Sequence, residues 1–199
     1  MHPEYSVKSP GGTFIIEQRA LVEGDKWSWQ AWMCPAAAGV VPYQLPLWHD
    51  NELCWCGDFY IAPNGRYILH AQKTGSGASD GALFTRGPDG LFALMHSACV
   101  GPPFSERVWS FFRRTLRRDP KLSRSRMEFV AWGADGVCLE LSLGGEDLGG
   151  GCRVHDWRLH YNLMSKRFFV THDQILHNRR AITVPPPRSP EMRVLPGRR

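Results

Sequence analysis

Asp58-Phe-Tyr-Ile-Ala-Pro-Asn-Gly-Arg-Tyr-Ile-Leu-His-Ala-Gln-Lys73 reads as two strands around a turn. Apolar and aromatic residues fill both arms, and Ala62-Pro63-Asn64-Gly65 sits between them. Proline presets φ at the first central turn position and asparagine tolerates the second. Glycine takes the left-handed position that closes a type I turn with a G1 bulge. The same chemistry returns at Gly87-Pro88-Asp89-Gly90, between Ala82–Arg86 and Leu91–His96. It returns again at Gly133-Ala134-Asp135-Gly136, between Met127–Trp132 and Val137–Leu143. A fourth hairpin, Trp157–Leu163 with Arg167–His172, turns through Met164-Ser165-Lys166 without glycine.

The four hairpins of 58–173 form two pairs, one on each side of a predicted helix at Ser105–Arg118. Ser105 suits the N-cap and Glu106 the first turn, while Arg113, Arg114, Arg117 and Arg118 complement the negative C-terminal end. Val108, Trp109, Phe112 and Leu116 share one stripe, and Asp119-Pro120 ends the helix. Upstream, Thr13–Val22 and Lys26–Met33 pair around Glu23-Gly24-Asp25, with Phe14, Ile16, Trp27 and Trp29 as candidate core residues. A short strand follows at Tyr43–Leu47. The Gly/Ser-rich segment Lys73–Gly81 reads as a flexible loop. From His177 onward, Pro185-Pro186-Pro187 and Pro190 predict an extended or disordered basic tail.

The predicted fold is therefore mainly β: an antiparallel hairpin meander in two blade-like four-stranded sheets, with one amphipathic helix inserted at about 105–118. It divides into N-terminal strands (1–57), a first hairpin pair (58–103), a helix-and-loop insertion (104–126) and a second hairpin pair (127–176). These form a single domain over 1–176, followed by the tail at 177–199. Ile-Ala-Pro-Asn-Gly-Arg-Tyr-Ile-Leu (61–69) and Asp-Trp-Arg-Leu-His-Tyr-Asn-Leu (156–163) resemble β-propeller blades of the TolB or WD40 type. The resemblance covers about two blades, and a ring needs about 4–8. It therefore implies a sandwich, an open barrel or an incomplete propeller-like stack.

Composition narrows the class. Eight Trp, ten Phe and five Tyr favour strands over a helical bundle. The net charge of +5 is unevenly placed: residues 177–199 carry a net +5 and residues 104–126 a net +6, so the rest carries −6. Basicity belongs to one helix-and-loop segment and the tail, not to the whole surface. The N-terminus lacks a basic segment followed by an apolar one, and no run approaches the ~20 apolar residues of a membrane span. Six Cys without the dense spacing of a secreted scaffold agree with a cytoplasmic protein holding reduced thiols.

Few motifs carry chemistry. Gly77-Ala78-Ser79-Asp80-Gly81 fits the G-x-S-x-G of a nucleophile elbow, with His155 or His172 as a base for Ser79. That elbow needs a strand-to-helix turn, whereas Ala-Leu-Phe-Thr-Arg (82–86) reads as a strand. His49, Cys54 and Cys56 could supply three metal ligands, but C-x-C is a poor tetrahedral bite and buried thiols fit better. The histidines at 155, 160, 172 and 177 crowd the last hairpin without sharing a face, although His160 opposite a residue near Phe169 could line a small cleft. Arg113, Arg114, Arg117 and Arg118 with the tail could neutralise phosphates. No RRM, KH or zinc-finger signature accompanies them.

These observations favour a non-catalytic protein-interaction or scaffold domain that binds a protein or peptide through an exposed strand edge or aromatic face. A serine hydrolase using Ser79 and a nucleic-acid binder using the basic helix and tail are the alternatives. No cofactor and no membrane partner is implied.

Overall fold

The computed structural model of the chain describes residues 5–24, 26–46, 57–75, 77–95, 103–117, 120, 122–147 and 152–183. Its strands form three successive meanders. The first comprises β1 (Tyr5–Lys8), β2 (Phe14–Glu23), β3 (Lys26–Pro35) and β4 (Tyr43–Gln44), paired antiparallel in that order. The second comprises β5 (Asp58–Ile61), β6 (Tyr67–Gly75), β7 (Ala78–Arg86) and β8 (Phe92–Leu94). Helix α1 (Phe104–Leu116) intervenes, and the third meander follows as β9 (Leu122–Trp132), β10 (Cys138–Asp147), β11 (Arg153–Asn162) and β12 (Arg167–Phe169). Helix α2 (His172–Asn178) and β13 (Ile182–Thr183) complete the described chain.

All four expected turns are present. They are bracketed by the pairs Ile61↔Ile68, Arg86↔Phe92, Trp132↔Leu139 and Asn162↔Arg167. The two hairpin pairs are joined further than the sequence suggests. A parallel bridge between Ser79 and Arg126 links β7 to β9, so the second and third meanders and β13 make one nine-stranded sheet. The strands of residues 5–44 form a separate four-stranded sheet.

Side-chain alternation explains the stacking. Leu69 and Leu83 point to one face of the second meander, while Ile68 and Phe84 point to the other. On the second face, Phe59, Ile68, Phe84 and Phe92 pack against Phe14, Ile16, Ala31, Met33 and Leu45 of the N-terminal segment. On the first face, Leu69 and Leu83 join Met127, Leu139, Leu141, Leu143, Trp157, Leu159 and Tyr161 of the third meander. The second meander is thus buried on both faces, which accounts for the unbroken apolar run Tyr67-Ile-Leu. Each such fully buried side chain contributes about 1.5–3 kcal/mol. Phe14 and Ile16 lie in the core as expected, but Trp29 is only half-buried and the Trp27 side chain is outside the described set.

Helix α1 packs into the core shared by the second and third meanders. Phe104, Val108, Trp109 and Phe112 form its buried stripe. Phe104 meets Tyr161 edge-on at 5.2 Å, and Phe112 meets Trp157 at 5.0 Å. Its start differs from expectation. Pro103 occupies the N-cap and no side chain caps the helix, while Ser105 is buried in the first turn. Docking of the aromatic stripe, not the cap, fixes this end.

Two other expectations fail. Lys73–Gly81 is not a flexible loop, because β6 and β7 run through it and pair as far as Gly75↔Ala78. Of its glycines only Gly77 takes a left-handed turn conformation (φ 80°), while Gly81 sits inside β7 where a Cβ would collide with the Met127 methyl. Nor does an extended tail begin at His177. Thr171 caps α2, accepting from the Gln174 N–H, while the Gln174 side chain accepts from the Thr171 N–H. This capping box stops β12 at Phe169 and carries ordered structure to Thr183.

Equivalent turns of neighbouring meanders touch. Asn64 Nδ2 donates to the Asp135 carbonyl at 3.0 Å. Gly136 has φ 68°, and a Cβ there would lie 2.6 Å from Asn64 Nδ2. Turn conformation and close approach both require glycine at this position.

Candidate functional site

Three polar side chains each hold both backbone groups of a single residue at the margin of a strand. Asn178 Oδ1 accepts from the Arg158 N–H at 2.7 Å, and Asn178 Nδ2 donates to the Arg158 carbonyl at 2.7 Å. Ser79 Oγ accepts from the Met127 N–H at 3.2 Å and donates to the Met127 carbonyl at 3.1 Å. Gln18 Oε1 accepts from the Gly57 N–H at 3.2 Å, and its Nε2 donates to the Gly57 carbonyl. In each case a side chain substitutes for a paired strand, the way an exposed edge is closed against unwanted pairing.

At β11 the closure is continuous. β12 pairs with residues 160–162 and β13 with 153–154. Between them the His155 N–H reaches the Ala181 carbonyl at 2.8 Å, and His177 Nε2 sits 2.8 Å from the Asp156 carbonyl oxygen. Charge networks fasten α2 in place. Asp156 accepts from Ser142 Oγ at 2.7 Å and from Arg158 Nε at 3.1 Å. Burial alone would raise the Asp156 pKa, but the Arg158 and Ser142 hydrogen bonds outweigh it and hold the carboxyl below its usual range. The same hydrogen bond raises the Arg158 pKa. Gln174 Nε2 donates to Glu140 at 2.9 Å, its Oε1 lies 3.0 Å from His160 Nδ1, and the His160 ring stacks on Phe169 at 5.2 Å. The His160–Phe169 pairing is the cross-strand contact expected from the sequence, but α2 covers it with a satisfied polar network.

The first strand of the third meander is different. Met127 presents its polar groups to Ser79. By the alternation of an antiparallel ladder, those of Phe129 point the same way. Past the Ser79–Arg126 bridge, β7 and β9 diverge, and on the edge of β9 away from β10 no described strand pairs with residues 127–132. β5 likewise pairs only with β6 among the described strands. Between β5 and β9 lies a trough of about 680 Å³ whose wall includes Arg126, Met127, Glu128 and Phe129 in succession. Tyr60 and Phe129 stack across it at 4.1 Å and 18°. Asp58, Lys73, Arg126 and Glu128 give its rim two charges of each sign. Burial first, and then the Asp58 carboxylate, raise the Tyr60 pKa, so the phenol is neutral at pH 7.

Ser79 lines this trough, but it stands in a strand followed by strand and its hydroxyl is committed to Met127. His155 lies exposed on β11, and His172 is exposed at the start of α2. Neither hydrogen-bonds Ser79 among the described residues. Of the four helix arginines, Arg113 turns toward a small pocket shared with Asp80 and Glu106. Arg114 lines a separate groove, Arg117 is exposed, and Arg118 lies outside the described residues. His49, Cys54 and Cys56 also lie outside them. Among the described residues no cluster of three or more His, Cys, Asp or Glu is arranged to hold a metal, and Cys34 and Cys138 are free thiols. No described helix is long and apolar enough to cross a membrane.

The sequence reading did not single out Tyr60, Phe129, Gln18 or Asn178. The α2 edge cover had a legible signal in Thr171-x-x-Gln174 ahead of Ile175-Leu176. The pairing of Tyr60 with Phe129 had none, because it joins residues of different meanders.

The fold and its edges define a mainly β protein of stacked antiparallel meanders. No known family model matches the chain, and no curated protein matches it. Among solved structures it is similar to the crystal structure of TolB from Acinetobacter baumannii, with a TM-score of 0.35 and 10% identity. That match covers 82% of this chain and 31% of TolB, so the chain spans about a third of its length.

Proposed function

We propose that this is a non-catalytic interaction domain that receives an extended peptide segment in the trough between β5 and β9. The observation that carries this reading is the contrast between edges. Side chains close those at Met127, Gly57 and Arg158, while the next outward-facing residue of β9, Phe129, opens onto an aromatic-floored trough. An added strand would bond to the Phe129 N–H and carbonyl, and its side chains would alternate between the Tyr60–Phe129 stack and solvent. The balanced rim charges suit a mixed peptide.

The test is selection of a phage-displayed random peptide library on the immobilised full chain, followed by N-methylation of each amide in the enriched peptide. Strand addition predicts that alternate amides are sensitive and the rest silent. It also predicts that Tyr60→Ala weakens binding more than about fivefold, a cost above ~1 kcal/mol that most interface residues do not reach. A peptide that tolerates every N-methyl group, or ignores Tyr60→Ala in a folded protein, contradicts the proposal.

A further inference from the structure

On the flank of α1 lies a second groove, which shares no lining residue with the trough. Arg107, Ser110, Phe111, Arg114, Lys166, Arg167 and Phe168 supply most of its wall, and its volume is about 770 Å³. Arg107, Phe111 and Arg114 stand at i, i+4 and i+7 of α1 and so form one stripe. Lys166 comes from the β11–β12 turn and Arg167 opens β12, so four cations converge from α1 and this hairpin with no carboxylate in the lining. The Phe111 and Phe168 rings stack at 5.5 Å and 30°, and the Arg107 guanidinium lies 5.9 Å from the Phe168 ring centre.

Two features separate this cluster from an ordinary solvated helix face. Arg113 and Arg114 complement the negative C-terminal end of α1, but Arg107 stands in its first half, where the dipole does not favour a cation. Lys166 also holds a left-handed backbone (φ 53°) in the turn that delivers its ammonium and the Arg167 guanidinium to the groove. The charge balance is the opposite of the trough's, where acids and bases alternate.

We infer that this groove binds single-stranded nucleic acid, with backbone phosphates on Arg107, Arg114, Lys166 and Arg167 and a base against the Phe111–Phe168 aromatic pair. Cations tracking a backbone beside aromatic faces are what sequence-tolerant single-strand binding needs. This site does not depend on the peptide trough, and the residues that make it differ from the arginine set read off the helix alone. Arg107 and the Lys166–Arg167 turn replace Arg113 and Arg117.

The test is fluorescence anisotropy of the full chain with a labelled oligothymidylate of about 10 nucleotides across a salt series. Arg114→Glu with Arg167→Glu, both at exposed positions, should weaken binding at least about tenfold. It should also flatten the log–log salt dependence by roughly 1.4, two phosphate contacts at ~0.7 each. Arg179→Glu with Arg180→Glu changes the net charge equally beside α2 and should leave affinity within about twofold. Phe168→Leu should weaken binding without altering the salt slope, since a lost stack removes no phosphate contact. The inference is overturned if the oligonucleotide does not bind, or if both arginine pairs weaken it equally. It is overturned also if deleting residues 184–199 abolishes binding that Arg114→Glu/Arg167→Glu leaves intact.

Discussion

Replacing Asn178 by alanine removes the amide that stands in for a strand on β11. Its two 2.7 Å hydrogen bonds to Arg158 each contribute about 0.5–1.5 kcal/mol net. Asn178 is 6% exposed, so the Arg158 N–H and carbonyl would be left in a largely covered position, at a further cost of about 1–2 kcal/mol. The sum is a loss of about 2–5 kcal/mol. For a chain of this size it corresponds to a fall in Tm of about 4–20 °C. Asn178→Asp keeps an acceptor for the Arg158 N–H but cannot donate to its carbonyl, so it separates the two bonds. Urea unfolding followed by tryptophan fluorescence measures both variants. Amide exchange at Arg158 should accelerate in Asn178→Ala while that at Leu141 stays slow. A stability within about 0.5 kcal/mol of the parent would refute the idea that Asn178 does the work of a paired strand.

Other expected outcomes follow from the same contacts. Ser79→Ala should lose about 1–3 kcal/mol of stability, because both Met127 backbone groups lose their side-chain partner; an unchanged urea midpoint would deny the clamp. Gly136→Ala should cost about 1–3 kcal/mol from left-handed strain and the approach of Asn64. Pairing it with Asn64→Ala should recover only the part due to the approach, as thermal unfolding of the double variant would show. The folded-state pKa of Asp156 is depressed, so its contribution to stability is present above the unfolded carboxylate pKa of about 3.9. It is lost as pH falls through the lower, folded value. Asp156→Asn should therefore flatten the acid limb of the stability–pH curve below about pH 4, and an unaltered limb would contradict the assignment.

Much of this architecture is legible in local chemistry. The Pro63-Asn64-Gly65 and Asp135-Gly136 turns specify their own backbone geometry, and the alternation around them marks strands whatever the rest of the chain does. Legibility fails where a residue's role depends on a distant partner. Gly75, Gly77 and Gly81 look like one linker, yet only Gly77 turns the chain, while Gly81 is small because Met127 of another meander lies over it. Ser79 looks like a nucleophile because G-x-S-x-G is a pattern of letters, whereas its hydroxyl is spent on a backbone 48 residues away. Arg113 and Arg114 are adjacent in sequence but look into different recesses, since successive helical positions diverge by about 100°. The trough is less visible still, because its walls are contributed by strands separated by an entire helix.

Amide hydrogen exchange along β9 in the free chain tests the contrast between closed and open edges without needing a ligand. The expected pattern is slow exchange at Met127, held by Ser79, and at Arg158, held by Asn178, with fast exchange at Phe129. Addition of a selected peptide should then slow Phe129 and leave the other two unchanged. A Phe129 amide as protected as that of Met127 in the free protein would mean that this edge is already covered, and the trough could not take a strand.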